Sequence, residues 1–462
     1  LTLRELPTRF KVLAMQITTP PAAPPVAAPT AIASPLRTIF DRNRAGDPQA
    51  VYAVCCAHPL VIRAALELAH RRGQVAVIES TCNQVNQDGG YTGMRPEEFA
   101  AQVRAVACAV GLPAERLVLG GDHLGPQPWR ALQSEAAMAK AIAMVEAYAR
   151  AGYGKLHLDC SMACADDVEP LCDAVIATRA ARLAHAAEAA IGGDAARPVY
   201  VIGTEVPAPG GMGEGHDIVP TAPDNVRETW RAHQQAFAQA GLDDAFARVV
   251  AIVVQPGLDF GNADVVDFAP NGATDLAAAV MPLKGAVYEA HSTDYQSADS
   301  FQKLVGMHFA ILKVGPAATF ALREAVYALE SIARELPGWT ARASVRSALE
   351  VAMLANPTHW ASHYAGDVGQ AAYLRHFSYS DRVRYYWTDP AVAVAVAALF
   401  TLLDRQPLPR PLISQYLPQH LCAVASGDLA ATAVALCAAH IQLALTPYAD
   451  AAGVHVSRVA EQ

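Results

Sequence analysis

The sequence predicts an α/β protein: a (β/α)8 barrel with an α-helical C-terminal extension. Three observations carry that prediction. Eight short apolar runs follow one another along the chain, segments with helix-like patterns fill the seven intervals between them, and every run ends in an acid, an imidazole, an amide or a lysine. Strands buried on both faces and alternating with helices make a parallel barrel, whose C-terminal strand ends share one face.

In order, the runs are 51–57 before His58, 75–78 before Glu79, 117–119 before Asp122-His123, and 155–158 before Asp159. The later four are 199–203 before Glu205, 249–254 before Gln255, 286–290 before His291, and 309–312 before Lys313. A polar residue where a strand stops often only caps the next helix. A whole set rich in metal-ligand types is instead expected to converge on one pocket. Among the intervening helices, one opens at Pro96-Glu97-Glu98, with proline and acids in its first turn. A second runs from Ser134 to Ala151 and stops at Gly152, and a third spans Asp224 to Gly241. The His/Ala-rich piece 179–191 reads as a surface helix with a buried alanine face.

The organisation expected is a flexible Pro/Ala-rich arm over 1–33, a barrel over 34–318, and a helical region over 319–462 packed on the barrel. Three loops are unusually long: the amide- and glycine-rich 80–95, then 206–223 and 256–272. Loops of that length inside a compact domain are commonly lids or binding loops. The segment His376–Trp387 is dense in aromatics, Arg and Asp. It reads either as a packing seam or as a phosphate or sugar contact reaching over the barrel mouth.

Bulk properties narrow the function. A formal charge of −9 and a pI near 5.9 argue against a general nucleic-acid coat. No run of 18 apolar residues stands anywhere, so no membrane span is expected, and nine scattered cysteines without a disulfide framework suit a cytoplasmic protein. Cys160 and Cys164 are read as small packing side chains, not a zinc pair. There is no P-loop after Gly210-Gly211-Met212-Gly213, no dinucleotide fingerprint after the first run, and no nucleophile elbow or HExxH helix.

What remains is metal chemistry. At Asp122-His123, after Gly120-Gly121, the imidazole can ligate a divalent ion while the carboxylate moves a proton. Glu205 and His291 complete an N/O ligand set in this reading, which suits zinc, cobalt, nickel or manganese. His157 and Asp159 share one side of the fourth strand. Lys313 is a Schiff-base candidate or, beside the helix start at Gly315-Pro316, a phosphate or carboxylate contact.

Several strings together resemble the Z-subunit family of tagatose-1,6-bisphosphate aldolase. They are Glu79 with residues 81–87, residues 89–94, Gly120–Pro126, His157-Leu158-Asp159, Gly203–Pro207 and Phe377–Trp387, spread from about residue 50 onward. The resemblance implies a TIM barrel of the class II, metal-dependent aldolase type. In that light Asp122 and Glu79 are catalytic candidates, and His123, Glu205 and His291 are candidate ligands of a divalent metal, zinc first. Asn83, Gln84, Asp159, Asp294, Lys313 and Arg382 are candidate contacts to a ketohexose or ketohexose phosphate. One departure stands out: Gln255-Pro256 occupies a place where such aldolases commonly carry a further ligand His. The family implies either a retro-aldol enzyme, aldolase or ketohexose 4-epimerase, or a non-catalytic partner stabilising an aldolase Y subunit. A homo-oligomer is also expected.

Overall fold

The computed structural model describes residues 34–192, 196–207, 218–364, 366–453 and 455. The expected 1–33 arm and most of the 206–223 loop lie outside the described residues. Eight parallel strands close into a barrel, each paired with its neighbours in sequence and the last with the first. Numbered in chain order, these barrel strands are β1 (Val51–Cys55), β2 (Ala76–Thr81), β3 (Leu117–Leu124), β4 (Lys155–Leu158), β5 (Val199–Ile202), β6 (Val249–Val254), β7 (Val287–Ala290) and β8 (Phe309–Val314). The (β/α)8 expectation is met. Strands such as VVAIVV in β6 and VYVI in β5 are buried throughout, as β-branched runs covered by helices on one side and barrel core on the other must be.

Two boundaries differ from the sequence reading. β3 extends to Leu124, carrying Asp122 and His123 within the strand, because Asp122 still pairs with Thr81 of β2 and Leu124 with Leu158 of β4. The fourth crossover helix begins at Asp173, earlier than residue 179, and buries Ile176 as well as the alanine face. Its Arg179 is buried too and forms a two-point contact with Asp167 (2.8 and 2.6 Å), so this helix face is more than an alanine stripe.

Helices after β8 wrap the barrel. Pro316–Arg334 is the eighth crossover-type helix, and the twenty-residue Ala433–Ala452 packs on it and on Pro59–Arg72. Ala433–Ala452 also bonds to the barrel near both of its ends. The Ala452 carbonyl accepts the Ala50 N–H just before β1 (3.1 Å), and the Tyr448 hydroxyl donates to the Thr293 carbonyl (2.9 Å) in the loop after β7. Among the described residues no helix is long and apolar enough to cross a membrane.

Candidate metal centre and active-site cavity

The interior of the barrel is charged. Lys155 on β4 is fully buried and lies 2.7 Å from Glu79 on β2 and 2.6 Å from Glu289 on β7. Lys313 on β8 contacts Glu79, reaches Asp122 at 2.5 Å and stands 3.6 Å from Glu289. Small size at β3 makes room for this network: a Cβ on Gly120 would collide with the Glu79 carboxylate, which crosses over that residue toward Lys155. Burial disfavours the ammonium of each lysine, but the carboxylates outweigh it, and both lysines titrate above their ordinary value. Lys313 is therefore a fixed cation and unsuited to the Schiff-base role.

Above this layer, three imidazoles meet. Ring centroids are 5.1 Å apart for His123 and His157, 4.8 Å for His123 and His291, and 5.3 Å for His157 and His291. With Asp122 they each place one ligand-type atom within 4.8 Å of the others, all four residues buried. Asp122 Oδ1 lies 3.5 Å from His157 Nδ1 and 3.9 Å from His123 Nε2. Ligand atoms sharing one ion through bonds of ~2.0–2.2 Å stand at about this spacing.

Two imidazoles are held from behind by carboxylates. Asp159 accepts from His123 Nδ1 (2.7 Å), and Glu289 accepts from His291 Nε2 (2.9 Å), which turns His123 Nε2 and His291 Nδ1 to the centre. His157 Nδ1 accepts the His123 main-chain N–H (3.2 Å), and its Nε2 is buried without a hydrogen-bond partner. His123 and Ser292 adopt left-handed backbone (φ 49° and 52°), where a non-glycine residue is strained and needs a surrounding structure to hold it. His123 belongs to the imidazole cluster and Ser292 follows His291.

Electrostatics follow from geometry. Burial alone would raise Asp122, yet Lys313 and the neighbouring imidazoles hold it well below the usual carboxylate range, and Thr81 Oγ1 donates to it (2.9 Å). Burial would lower His123, but Asp122 and Asp159 outweigh it and its pKa is raised. Burial pushes His291 down to about 3 despite Glu289. Two buried lysines, Lys155 and Lys313, thus face four buried carboxylates, Glu79, Asp122, Asp159 and Glu289. The donor set and the carboxylates behind it fit a divalent metal.

A cavity lies over the cluster and opens to solvent. His123, His291, Asp122 and Lys313 form its floor, while Asn83, Gln84, Tyr91, Phe260, Arg384 and Tyr385 line its walls and mouth. The segment 376–387 packs on the barrel and also reaches the cavity. Asp381 anchors it on the barrel through Thr319 Oγ1 (2.7 Å) and Arg323 Nε (3.0 Å), and the next turn delivers Arg384 and Tyr385 to the cavity.

The expected residues are thus distributed unevenly. Asp122, His123, His291, Asn83, Gln84, Asp294 and Lys313 line the cavity. Asp159 and Glu79 stand behind it, on His123 and on the lysines. Glu205 needs correcting as a ligand: it is exposed, bonded to Asn225, and absent from the cluster, because the chain turns outward after β5. His157 stands in the cluster instead. Arg382 is likewise displaced by Arg384; Arg382 is buried against His363 (3.0 Å) and does not line the cavity. His58 caps the Pro59–Arg72 helix and Gln255 closes a turn onto Gly257 and Leu258, so neither reaches the centre. Missed altogether were Lys155 and Glu289. The signal was available: 155, 157 and 159 along β4 and one step past it, and 289 and 291 at the end of β7, repeat every second residue and so face one side.

Residues 36–453 match the protein family described as D-tagatose-1,6-bisphosphate aldolase subunit GatZ/KbaZ-like. The chain belongs to that family. A crystal structure of a probable tagatose 6-phosphate kinase from Sinorhizobium meliloti 1021 is similar to this GatZ/KbaZ-like chain at 48% identity. The match covers 87% of this chain and 100% of the other, with a TM-score of 0.81. Fructose-bisphosphate aldolase from Campylobacter jejuni is 14% identical over 81% of this chain and 96% of its own, TM-score 0.42. The YdjI aldolase from Escherichia coli K12 is 13% identical over 79% and 95%, TM-score 0.37. The latter two are too remote for residue roles to be carried over.

Proposed function

We propose that this GatZ/KbaZ-like chain performs metal-assisted retro-aldol chemistry at the C3–C4 bond of a ketohexose of the tagatose and fructose series, free or phosphorylated. The observation that carries the reading is the convergence of His123, His157 and His291 beside Asp122, with carboxylates behind two of the rings. The three imidazoles would hold the ion; the nitrogen-rich set suits zinc first, with manganese, nickel or cobalt as alternatives. A bound divalent ion supplies Lewis-acid polarisation of the substrate carbonyl. Asp122, ionised and facing the cavity, takes the proton of the C4 hydroxyl as the C3–C4 bond breaks, giving an aldehyde and a three-carbon enediolate fragment. Re-forming the C3–C4 bond on the other face of the turned aldehyde, with that proton returned to the new C4 oxygen, inverts C4, so escape of the fragments means aldolase and recombination means 4-epimerase. Lys313 keeps Asp122 charged, while Asn83 and Gln84 offer amides to hydroxyl groups.

Metal analysis of chelator-free protein comes first, then incubation with fructose, tagatose and their phosphates and chromatography of the products. Tagatose from fructose without trioses identifies a 4-epimerase, and triose products identify an aldolase. Asp122→Asn is expected to lose about 100-fold or more of either activity. No bound metal, together with no activation by zinc, manganese or nickel, would refute the reading. The family's description as a subunit favours a second one: a chain inert alone that raises the activity and thermal stability of a Y-type aldolase subunit. Sugar conversion by this chain unaided rules that out.

A further inference from the structure

A phosphorylated sugar needs a cradle of uncommitted donors, and the cavity has its donors committed. The helix start beside Lys313 is the place where a barrel of this kind would present main-chain N–H groups to an anion. Here Asp294 occupies it. Its Oδ1 accepts the N–H of Gly315 (3.0 Å) and of Ala317 (2.8 Å), and Pro316 between them has none. The lining cations are Lys313 and Arg384. Lys313 is engaged by Glu79 and Asp122. Arg384 donates to the main-chain carbonyls of Ser380 and Asp381 and to the Tyr385 hydroxyl (3.2 Å). Two carboxylates, Asp122 and Asp294, face the same space. Each phosphate would bring roughly −1.5 to −2 charges against them. Thr81, Asn83, Tyr91, Ser292 and Tyr385 supply neutral polar groups of the kind that pair with hydroxyls.

We infer that the cavity takes an unphosphorylated polyhydroxy ketone and that Asp294, by filling the helix-start anion site, rejects phosphate esters. The inference rests on the ketose reading of the site and sharpens it, and it departs from the bisphosphate in the family's description. Calorimetric titration of the full chain, with and without added zinc, should compare fructose, tagatose, fructose 6-phosphate, fructose 1,6-bisphosphate and inorganic phosphate.

Free sugars are expected to bind at least about ten-fold more tightly than the bisphosphate, with inorganic phosphate failing to compete. Asp294→Asn keeps an acceptor for the two N–H groups but removes the charge, and should cut the penalty against phosphate esters by about ten-fold. Circular dichroism checks that the variant is folded. A wild-type preference for the bisphosphate overturns the inference, as does a folded Asp294→Asn protein with an unchanged ligand order. Binding of no sugar overturns it as well. Failure of the metal reading is seen separately, as absence of zinc binding, because the order of ligand affinities is also read without metal.

Discussion

Replacing Lys155 by Met tests the charged floor of the barrel most directly. The ammonium is 0% exposed and lies 2.7 Å from Glu79 and 2.6 Å from Glu289. Met matches its length, so the change removes charge and hydrogen bonds with little change in volume. Glu79 keeps Lys313, whereas Glu289 is left with His291 and with Lys313 at 3.6 Å. One buried carboxylate thus loses its close cation. Breaking a buried ion pair from one side costs about 3–5 kcal/mol, against a total stability of ~5–15 kcal/mol for a typical domain. Urea denaturation followed by fluorescence and circular dichroism should show that loss. Glu289→Gln in the Lys155→Met background should restore part of it, because the stranded charge is gone, giving a coupling of about 1–3 kcal/mol in the double-mutant cycle. Single variants whose effects add to within ~0.5 kcal/mol would refute the claim that these two side chains hold each other.

Asp159→Ala removes the carboxylate behind His123 and should weaken zinc affinity by about 10–100-fold in a competition titration with a chromogenic chelator, leaving the fold intact. Lys313→Met removes the cation that lowers Asp122, so the acid limb of any activity profile should move to higher pH. An unmoved limb would show that Asp122 is not the titrating group. His233 is wholly buried, and burial lowers it from 6.5 to about 4 against the opposing bond to the Thr229 carbonyl. Its folded pKa lies below the unfolded one, so its contribution is complete above pH 6.5 and is lost as the pH falls through 4, amounting to at most about 3 kcal/mol. Equilibrium unfolding from pH 7 to pH 4 should show this slope, flattened in His233→Gln.

The eight strands were legible because a barrel strand must be apolar over its whole short length. Runs such as 249–254 and 309–312 have no other comfortable fold, and helices between them oblige the strands to be parallel. Asp122, His123, His291 and Lys313 were legible for the same reason: a residue still on the strand, or within a step of it, inherits the direction of the barrel interior. Two-residue alternation also carried His157 and, unread, Lys155 and Glu289. Past the strand end that inheritance fails. Glu205 stands three residues beyond Ile202, and the turn sends it to solvent, while Asp294 is turned back onto the Gly315 and Ala317 amides. Arg382 and Arg384 are two residues apart in one short helical turn, and only the docking of Asp381 on Arg323 decides which guanidinium meets the cavity. Residue type and strand periodicity are local properties that a sequence displays, whereas the direction of a side chain on a loop is set by packing partners far along the chain.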